Sequence, residues 1–269
     1  MTVRNPVVVV TGGTRGIGLG LARELLARRA RVVICGRSQA SLDKALGELD
    51  AEGRVTGITC DVSSRAELQA LWDHAVATFG RVDHWVNNAG LGVQRRPLIE
   101  IDPASIDAIV GANLLGTIQA TAVAVAGMTK QGGGMVWNME GFGSNGQKAT
   151  NMATYGATKR GMTYFTECLI KDLKDSPVNI GIMSPGIVVT DLLVDDYEGQ
   201  PEEFEKAKRI FNILGDDVPT VTASLAEDML KAKGNGQRVE WLTKGKAAGR
   251  FFNAFVLRKK RDLFADQQG

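Results

Sequence analysis

Residues 7–18 read VVVVTGGTRGIG, four valines followed by a glycine-rich turn. A run of β-branched residues fits a strand buried on both faces, and the apolar periodicity that begins at Ile17 predicts a helix. Between them, Gly12 permits a sharp turn, Gly16 lets the backbone approach a pyrophosphate, and Gly18 lets the helix lie close to the strand. The N–H groups at such a helix start bind phosphate oxygens. The motif therefore predicts a dinucleotide site, with an ordinary glycine-rich turn as the alternative.

The alternation of strand and helix continues to about residue 185. Predicted strands cover residues 31–35, 55–60, 82–86, 135–138 and 176–183, and predicted helices cover residues 39–49, 66–79, 103–128 and 153–173. Strands that alternate with helices of this length require right-handed crossovers and form a parallel sheet with helices on both faces. The sequence therefore predicts an α/β fold, a doubly wound and mostly parallel sheet of the Rossmann type.

The regular rhythm ends at Gly186. Beyond it the chain shows an acidic, irregular stretch at residues 192–201, predicted helices at 202–211 and 220–231, and a candidate edge strand at 238–242. No repeat or low-complexity linker separates this part from the rest. We expect a single nucleotide-binding domain over residues 1–269, in which residues 187–237 form a substrate lid region and residues 238–269 a basic C-terminal extension.

The composition is that of a globular protein, since 44% of the 269 residues are hydrophobic and 23% are charged. The longest apolar runs, residues 6–10 and 122–126, are far shorter than the roughly 20 residues of a membrane-spanning helix, and the N-terminus lacks a signal-peptide core. Three scattered cysteines and two histidines argue against a disulfide framework and a metal site. We expect a soluble cytoplasmic protein without a bound metal.

Charge is unevenly distributed along the chain. A net charge of +2 gives no reason to expect nucleic acid as a partner. Residues 238–261, however, hold eight basic residues and one acidic residue, so they carry +7 and the remainder of the chain carries −5. In the same stretch, Phe251, Phe252, Phe255 and Val256 group on one side of a predicted helix. This tail is expected to pack on the protein's own body, to contact another subunit, or to bind an anionic membrane peripherally.

The residues after the second predicted strand indicate which dinucleotide binds. An acidic residue at this place accepts hydrogen bonds from the ribose 2′-OH of NAD, whereas an arginine accommodates the 2′-phosphate of NADP. The chain has Arg37 and Ser38 there and no acid, and Arg15 in the glycine-rich turn supplies a second cation. The pattern favours NADPH, with Arg37 as a partner of the 2′-phosphate. In the alternative, Arg37 is a solvated residue at the start of a helix and contacts no cofactor.

Tyr155 and Lys159 form the candidate catalytic pair. A spacing of four residues puts the phenol and the ammonium on one face of a helix. Because a tyrosine pKa near 10 is poorly suited to proton exchange at neutral pH, we expect the lysine cation to lower the pKa of Tyr155. The pair then exchanges a proton with an alcohol or carbonyl oxygen.

Further motifs accompany this pair, namely Asp61-Val62, Asn87-Asn88-Ala89-Gly90, Asn113 and Ser184-Pro185-Gly186. Together with TGGTRGIG at 11–18 and YxxxK at 155–159, they resemble the motifs of the short-chain dehydrogenases/reductases over about residues 5–190. The resemblance implies that Tyr155 donates the proton in carbonyl reduction, that Lys159 holds the nicotinamide ribose, and that Asn113 supports a proton-relay water. It also implies an oligomer, a homodimer or a homotetramer.

The resemblance extends to the cofactor contacts. The phosphate loop would contribute Gly12, Thr14, Arg15, Gly16, Ile17 and Gly18. Asp61 and Val62 would lie by the adenine, Asn88, Ala89 and Gly90 along the cofactor, and Pro185, Gly186, Val188 and Thr190 by the nicotinamide.

The active-site serine of the family is where this chain departs from the pattern. Family members carry a serine about 13 residues before the tyrosine, in a strand-end motif like NxSS, but position 142 is phenylalanine here. Ser144 lies only 11 residues before Tyr155, and a glycine-flanked loop could bend its hydroxyl towards the substrate oxygen. We expect Ser144 to polarise the carbonyl. In the alternative, it is a plain loop serine, and Tyr155 polarises the carbonyl together with a backbone N–H or a water.

The unusual strand end is similar to that of the chlorophyll b reductase subgroup of the family. The similarity covers NMEGFGSNG at 138–146, FNIL at 211–214, WLT at 241–243 and the basic tail. It implies that a formyl group on a large hydrophobic pigment is reduced to a hydroxymethyl group. Leu192, Leu193, Val194 and Phe204 would offer apolar surface to such a ligand, or else pack as ordinary loop residues.

Two other functions are compatible with the same motifs. One is a generalist reductase of ketones or 3-oxoacyl thioesters. The other is a dinucleotide-binding sensor without catalysis, for which the displaced serine is the supporting feature and the intact Tyr155, Lys159 and Asn113 are the opposing ones.

Overall fold

A seven-stranded parallel sheet runs through the computed structural model, which describes residues 5–265. Its strands are β1 (Val7–Val10), β2 (Arg31–Gly36), β3 (Val55–Thr59), β4 (His84–Asn87), β5 (Gly134–Met139), β6 (Val178–Ser184) and β7 (Gln237–Glu240). They are arranged in the order β3-β2-β1-β4-β5-β6-β7, and every neighbouring pair is parallel. The order reverses between β1 and β4, and such a reversal opens a crevice at the carboxyl ends of the strands.

Helices cover both faces of this sheet. They are α1 (Gly16–Ala27), α2 (Gln39–Leu49), α3 (Arg65–Phe79), α4 (Pro103–Val110), α5 (Thr117–Gln131), α6 (Ala153–Asp172), α7 (Asp191–Asp195), α8 (Pro201–Leu214), α9 (Val218–Lys231) and α10 (Lys244–Phe255). One apolar core lies between the sheet and α1, α2 and α9, and the other lies between the sheet and α3 and α5. The predicted doubly wound α/β fold is confirmed.

The valines of β1 pack in both apolar cores, one on each face of the sheet. Val8 and Val10 face the core that contains Leu21 of α1, whereas Val9 faces the core that contains Leu68 of α3. All three valines are fully buried. Because full burial of one such side chain stabilises a fold by about 1.5–3 kcal/mol, an uninterrupted apolar strand is favoured at the centre of the sheet.

The helix predicted over residues 103–128 is divided into three parts. Between α4 and α5 the chain makes a π-helical turn, Gly111–Gly116, and α5 continues to Gln131. A π-helical turn accommodates an extra residue in the helix and often lies at a functional position. Here it carries Asn113, whose side chain is buried.

The composite helix Pro103–Gln131 is long and apolar enough to cross a membrane by length and composition. In the structure its C-terminal part belongs to the protein core. Ala120, Ala124 and Met128 are buried in the cluster that also contains Trp85 of β4. The C-terminal part of this helix therefore has the environment of a core helix of an α/β protein.

The C-terminal part is more regular than predicted. The stretch expected to be irregular at residues 192–201 contains the short helix α7, and the Thr190 hydroxyl accepts a hydrogen bond from the Leu193 N–H at its start (3.4 Å). The tail helix α10 begins at Lys244 and ends at Phe255, so Val256 lies beyond it. The candidate edge strand is present as β7, which pairs with β6.

One buried carboxylate, that of Asp216, connects three segments of this part. Its Oδ2 accepts hydrogen bonds from Arg250 Nη2 of α10 (2.6 Å) and from the Trp241 indole N–H (2.6 Å), and its Oδ1 accepts one from Arg261 Nη2 (2.7 Å). Beyond Arg261, Phe264 is buried in an aromatic cluster with Phe204 and other rings of the lid region. The basic tail therefore packs on the protein's own body at two of its cations and at its last described aromatic ring.

Substituting Asp216→Asn tests this connection. We expect the free energy of unfolding to fall by about 2–3 kcal/mol, because two arginines lose a charged partner and one of them is largely buried. Denaturant unfolding followed by circular dichroism measures the change. The matched control Glu227→Gln breaks an exposed ion pair with Lys231 and should leave stability nearly unchanged. Equal effects of the two variants would show that Asp216 has no special role.

Candidate active site

A large cavity lies at the carboxyl ends of the strands, with a volume of about 1970 Å³. Its walls come from the loops after β1, β2, β3, β4, β5 and β6, together with α7, α8 and α10. The predicted site residues that line it are Gly12, Thr14, Arg15, Gly16, Ile17, Gly18, Arg37, Ser38, Asp61, Val62, Asn88, Ala89, Gly90, Ser144, Tyr155, Lys159, Pro185, Gly186, Val188 and Thr190. The tertiary fold thus brings together residues that are as much as 178 positions apart.

The loop after β1 is shaped by close backbone approaches. A Cβ added at Gly12, whose φ is +63°, would lie 2.8 Å from the Ala89 Cα, and one at Gly18 would lie 2.1 Å from the Gly12 carbonyl oxygen. At Gly16, whose φ is +53°, the nearest atom would be a Thr190 carbon at 3.6 Å, so this position is open towards the cavity. These spacings leave the start of α1 accessible to a phosphate.

Asn88 holds this loop in place. Its amide Nδ2 donates hydrogen bonds to the carbonyl oxygens of Thr11 (2.9 Å) and Gly12 (3.1 Å). In return, the Thr11 hydroxyl accepts hydrogen bonds from the N–H groups of Asn88 and Ala89, both at 3.1 Å. The Asn88 side chain therefore joins the loops after β1 and β4, and the role of this residue in cofactor contact remains a prediction.

The cations predicted for the 2′-phosphate lie at the rim of the cavity. Arg15 directly precedes α1 and Arg37 follows β2, and both side chains are exposed. Ser38 caps α2, since its hydroxyl accepts a hydrogen bond from the Ser41 N–H (3.4 Å). Asp61 on the neighbouring wall accepts hydrogen bonds from the hydroxyl and the N–H of Ser63, which hold its pKa below the ordinary value, and Arg37 adds to this effect.

Tyr155 and Lys159 enter the cavity from the first turns of α6. A Cβ added at Gly141, just after β5, would lie 2.5 Å from the Tyr155 hydroxyl oxygen and 3.1 Å from Lys159 Cε. Lys159 Nζ donates a hydrogen bond to the Met139 carbonyl (3.3 Å) and lies 5.8 Å from the centroid of the Tyr155 ring. The end of β5 therefore sets the position of both catalytic candidates.

The pKa of Tyr155 differs from the expectation of a lowered value. Burial raises it above the ordinary tyrosine value, and the nearby carboxylate of Asp196 raises it further, so the expected lowering by Lys159 is wrong for this geometry. Burial lowers the pKa of Lys159 to about 8, against the opposing effect of the Glu140 carboxylate. At neutral pH the phenol therefore keeps its proton and the lysine keeps its charge.

Asn113 lies behind the cavity wall in the π-helical turn. Its Oδ1 accepts a hydrogen bond from the Leu91 N–H (2.7 Å), and its Nδ2 donates one to the Leu91 carbonyl (2.9 Å). The same Nδ2 lies 3.4 Å from the Thr158 hydroxyl of α6. The side chain thus joins the loop after β4 to the helix that carries Tyr155, and its part in a proton relay stays a prediction.

Ser144 is buried in the loop between β5 and α6. Its hydroxyl accepts a hydrogen bond from the Gly141 N–H (3.2 Å) and lies 3.5 Å from the Lys159 carbonyl oxygen. Of the residues after β5, Gly141 has its backbone directly beside the Tyr155 hydroxyl. The sequence held a signal for this position, because the second serine of an NxSS motif that begins at Asn138 would fall on Gly141.

Two acids of the cavity wall, the buried Glu140 and the half-buried Asp196, were missed from the sequence. Glu140 forms a two-point ion pair with Arg238 of β7, with N–O distances of 3.1 and 2.5 Å. Asp196, just after α7, accepts a hydrogen bond from the Val93 N–H (3.0 Å), and burial raises its pKa to about 7. The sequence shows that Glu140 and Asp196 are acidic. It does not show that Arg238 pairs with Glu140 or that the Val93 N–H contacts Asp196.

The apolar side chains of the lid region lie in two places: some line the cavity, and others pack in the aromatic cluster beneath the tail. Leu192 and Leu193 line the cavity, as expected for contact with an apolar ligand. Phe204 instead packs against Tyr197 and Phe264, with ring centroids 5.4 Å apart in each pair. Of the two alternatives for Phe204, ordinary packing holds, because its ring belongs to the aromatic cluster with Tyr197 and Phe264.

Comparison with known proteins agrees with this geometry. A family model described as short chain dehydrogenase matches residues 6–201. The chain is 35% identical over 255 residues to the probable chlorophyll(ide) b reductase NYC1, chloroplastic, of Arabidopsis thaliana. The aligned region covers 88% of this chain and 50% of that protein. It therefore spans about half the length of that relative.

Two further proteins are similar over more of their own length. The chlorophyll(ide) b reductase NOL, chloroplastic, of Oryza sativa subsp. japonica is 32% identical over 269 residues, which is 96% of this chain and 77% of that protein. An actinorhodin polyketide ketoreductase variant solved with NADPH superimposes with a TM-score of 0.76 at 29% identity, over 89% of this chain and 98% of that one. The chain therefore belongs to the short-chain dehydrogenases, a family of oxidoreductases that use a nicotinamide dinucleotide.

Proposed function

We propose that this protein is an NADPH-dependent carbonyl reductase that converts the formyl group of a large apolar molecule of the chlorophyll(ide) b type into a hydroxymethyl group. The observation that carries the reductase assignment is the Tyr155 hydroxyl, held in the cavity beside Lys159 and Gly141. A protonated phenol next to a cation is the donor set that carbonyl reduction needs.

The residues around Tyr155 perform the proton chemistry. When bound, the dinucleotide supplies the hydride, which forms a C–H bond at the carbonyl carbon while the C=O π electrons move to the oxygen. Tyr155 gives its hydroxyl proton to that oxygen, and the charged Lys159 stabilises the tyrosinate that remains. Ser144 is the proposed second donor to the oxygen, because its hydroxyl lies with the Gly141 N–H at the end of β5.

The proposed choice of NADPH rests on charge at the rim of the cavity. Arg37 and Ser38 follow β2, where an acid would favour NADH, and Arg15 lies at the start of α1. An arginine binds a phosphate with strong, charge-assisted hydrogen bonds. The ketoreductase that shares this fold was solved with NADPH.

The proposed substrate rests on the cavity and on the relatives. Leu192, Leu193, Ile210 and Phe251 give the cavity an apolar wall opposite the strand ends, and its volume leaves room for a large ligand besides a dinucleotide. Two relatives of the chain are named chlorophyll(ide) b reductases. Because the chain also shares its fold with a polyketide ketoreductase, a 3-oxoacyl thioester is the second candidate substrate.

Turnover of chlorophyllide b with NADPH tests the activity. We expect the absorption spectrum of the pigment to change with time in the wild type, and Tyr155→Phe to lower kcat by about 10²–10⁴-fold with NADPH binding retained. The matched control is Tyr164→Phe on the same helix, whose ring is 71% exposed and whose loss should leave kcat unchanged. A wild type that binds NADPH but turns over neither the pigment nor simple ketones and 3-oxoacyl thioesters would identify a binding protein instead.

Substituting Arg37→Asp tests the cofactor preference. The lost cation and the added charge should raise the KM for NADPH by about 10–100-fold, since a hydrogen bond to a charged group contributes about 1.5–3 kcal/mol. The KM for NADH should rise little or fall. Arg65→Asp, an exposed change at the start of α3 and outside the cavity wall, is the control. An unchanged preference in the Arg37 variant would reject this residue as the 2′-phosphate partner.

The pKa of Lys159 predicts how reduction depends on pH. Below about pH 8 Lys159 is charged, and above it the charge that stabilises the tyrosinate is lost, whereas Tyr155 keeps its proton over this range. We therefore expect kcat/KM for reduction to be highest below pH 8 and to fall as the pH rises through about 8. In Glu140→Gln the fall should begin at lower pH, because the carboxylate raises the pKa of Lys159. A flat profile from pH 7 to pH 10 in the wild type contradicts this assignment.

A further inference from the structure

An apolar patch on the tail is exposed to solvent. It comprises Phe251, Phe252, Phe255, Val256 and Leu257, and is called the tail patch below. The last four of these side chains are 50–70% exposed, and the rings of Phe251 and Phe255 stack with their centroids 6.0 Å apart. Five neighbouring apolar side chains left in water are uncommon on a protein surface and indicate an interaction site.

The tail patch faces outward because the opposite side of α10 is fixed to the body of the protein. Arg250, on that opposite side, donates hydrogen bonds to the Leu214 carbonyl (2.8 Å) and to Asp216. Beyond the patch, Arg261 binds the same Asp216, and Phe264 is buried. The chain is thus anchored on both sides of the patch, which prevents the patch from folding back into the core.

Cations flank the tail patch at both ends. Arg258, Lys259 and Lys260 follow it directly, and Lys244 lies on the same exposed side at the start of α10. Within residues 5–265, none of these four cations forms an ion pair. Aromatic side chains among unpaired cations match the chemistry of an anionic lipid surface, in which acyl chains lie beneath phosphate groups.

The patch is continuous with the wall of the active-site cavity. Phe251 belongs to both, and it lines the cavity together with Ile210 and Leu214 of α8. Ile210 is also 36% exposed, so apolar surface extends from the cavity to the outside of the molecule. A surface that covers the tail patch would therefore also lie at this side of the cavity.

We propose that the tail patch and its flanking cations dock the protein on an anionic lipid bilayer, with the Phe251 side of the cavity turned towards the membrane. The phenyl rings enter the boundary between headgroups and acyl chains, and the cations pair with lipid phosphates. A second copy of the chain docked symmetrically on the same patch would bring two sets of unpaired cations together, which opposes such a contact. The docking does not depend on the reaction proposed for Tyr155.

Vesicle co-sedimentation of the full chain tests the proposal. The probes are vesicles of phosphatidylcholine alone and vesicles with equal parts of phosphatidylcholine and phosphatidylglycerol. We expect the wild type to bind the anionic vesicles and to be released as the salt concentration rises. Phe252→Ala/Phe255→Ala and Lys259→Glu/Lys260→Glu should each weaken this binding by at least about tenfold. Phe251 is left unchanged because it lines the cavity.

Matched controls distinguish vesicle binding through the tail patch from nonspecific binding by other exposed apolar or basic side chains. Leu98→Ala/Ile99→Ala removes two apolar side chains that are 61% and 94% exposed elsewhere, and Lys171→Glu/Lys174→Glu reverses two exposed cations far along the chain from the tail. Both should bind vesicles like the wild type, and circular dichroism checks that every variant is folded. The proposal is overturned if the wild type ignores anionic vesicles or if the tail variants bind them equally well. It is also overturned if Phe252→Ala/Phe255→Ala binds anionic vesicles like the wild type but has a different oligomeric state in sedimentation velocity. That result would identify the patch as a subunit interface.

Discussion

The contact between the loop after β1 and the loop after β4 is the constraint on which this structure depends. Gly12 lies so close to Ala89 that no side chain fits between them, and Thr11 and Asn88 exchange hydrogen bonds across the same gap. These contacts lie where the strand order reverses, and they hold the crevice open at the start of α1. The candidate phosphate-binding site is therefore a consequence of how two neighbouring strands end.

The chemistry of the site depends on a second close approach, between the end of β5 and α6. Gly141 has no side chain, so the Tyr155 hydroxyl lies directly against the backbone at the end of β5. Nearby, Glu140 is paired with Arg238 and raises the pKa of Lys159 against the effect of burial. The end of β5 thus carries a carboxylate that favours the charged form of Lys159, the candidate catalytic lysine.

The basic tail holds two groups of cations, those with a buried partner and exposed ones, that its sequence alone did not separate. Arg250 and Arg261 bind the buried Asp216 and stabilise the fold, whereas Lys259 and Lys260 remain exposed next to the phenylalanines of the tail patch. Packing on the protein's own body and binding of an external surface are therefore compatible. Packing on the body holds the segment in place, and the proposed docking would use the side of the tail that remains exposed.

Much of the fold followed from the sequence because it depends on local patterns. Four valines before a glycine-rich turn predict a central buried strand, and the spacing of Tyr155 and Lys159 puts them on one helical face in any fold. Tertiary structure decided what depends on distant neighbours, namely the raised pKa of Tyr155 and the ion pair between Glu140 and Arg238. Burial and through-space charge act between residues that are far apart in the chain, so no local pattern reveals them.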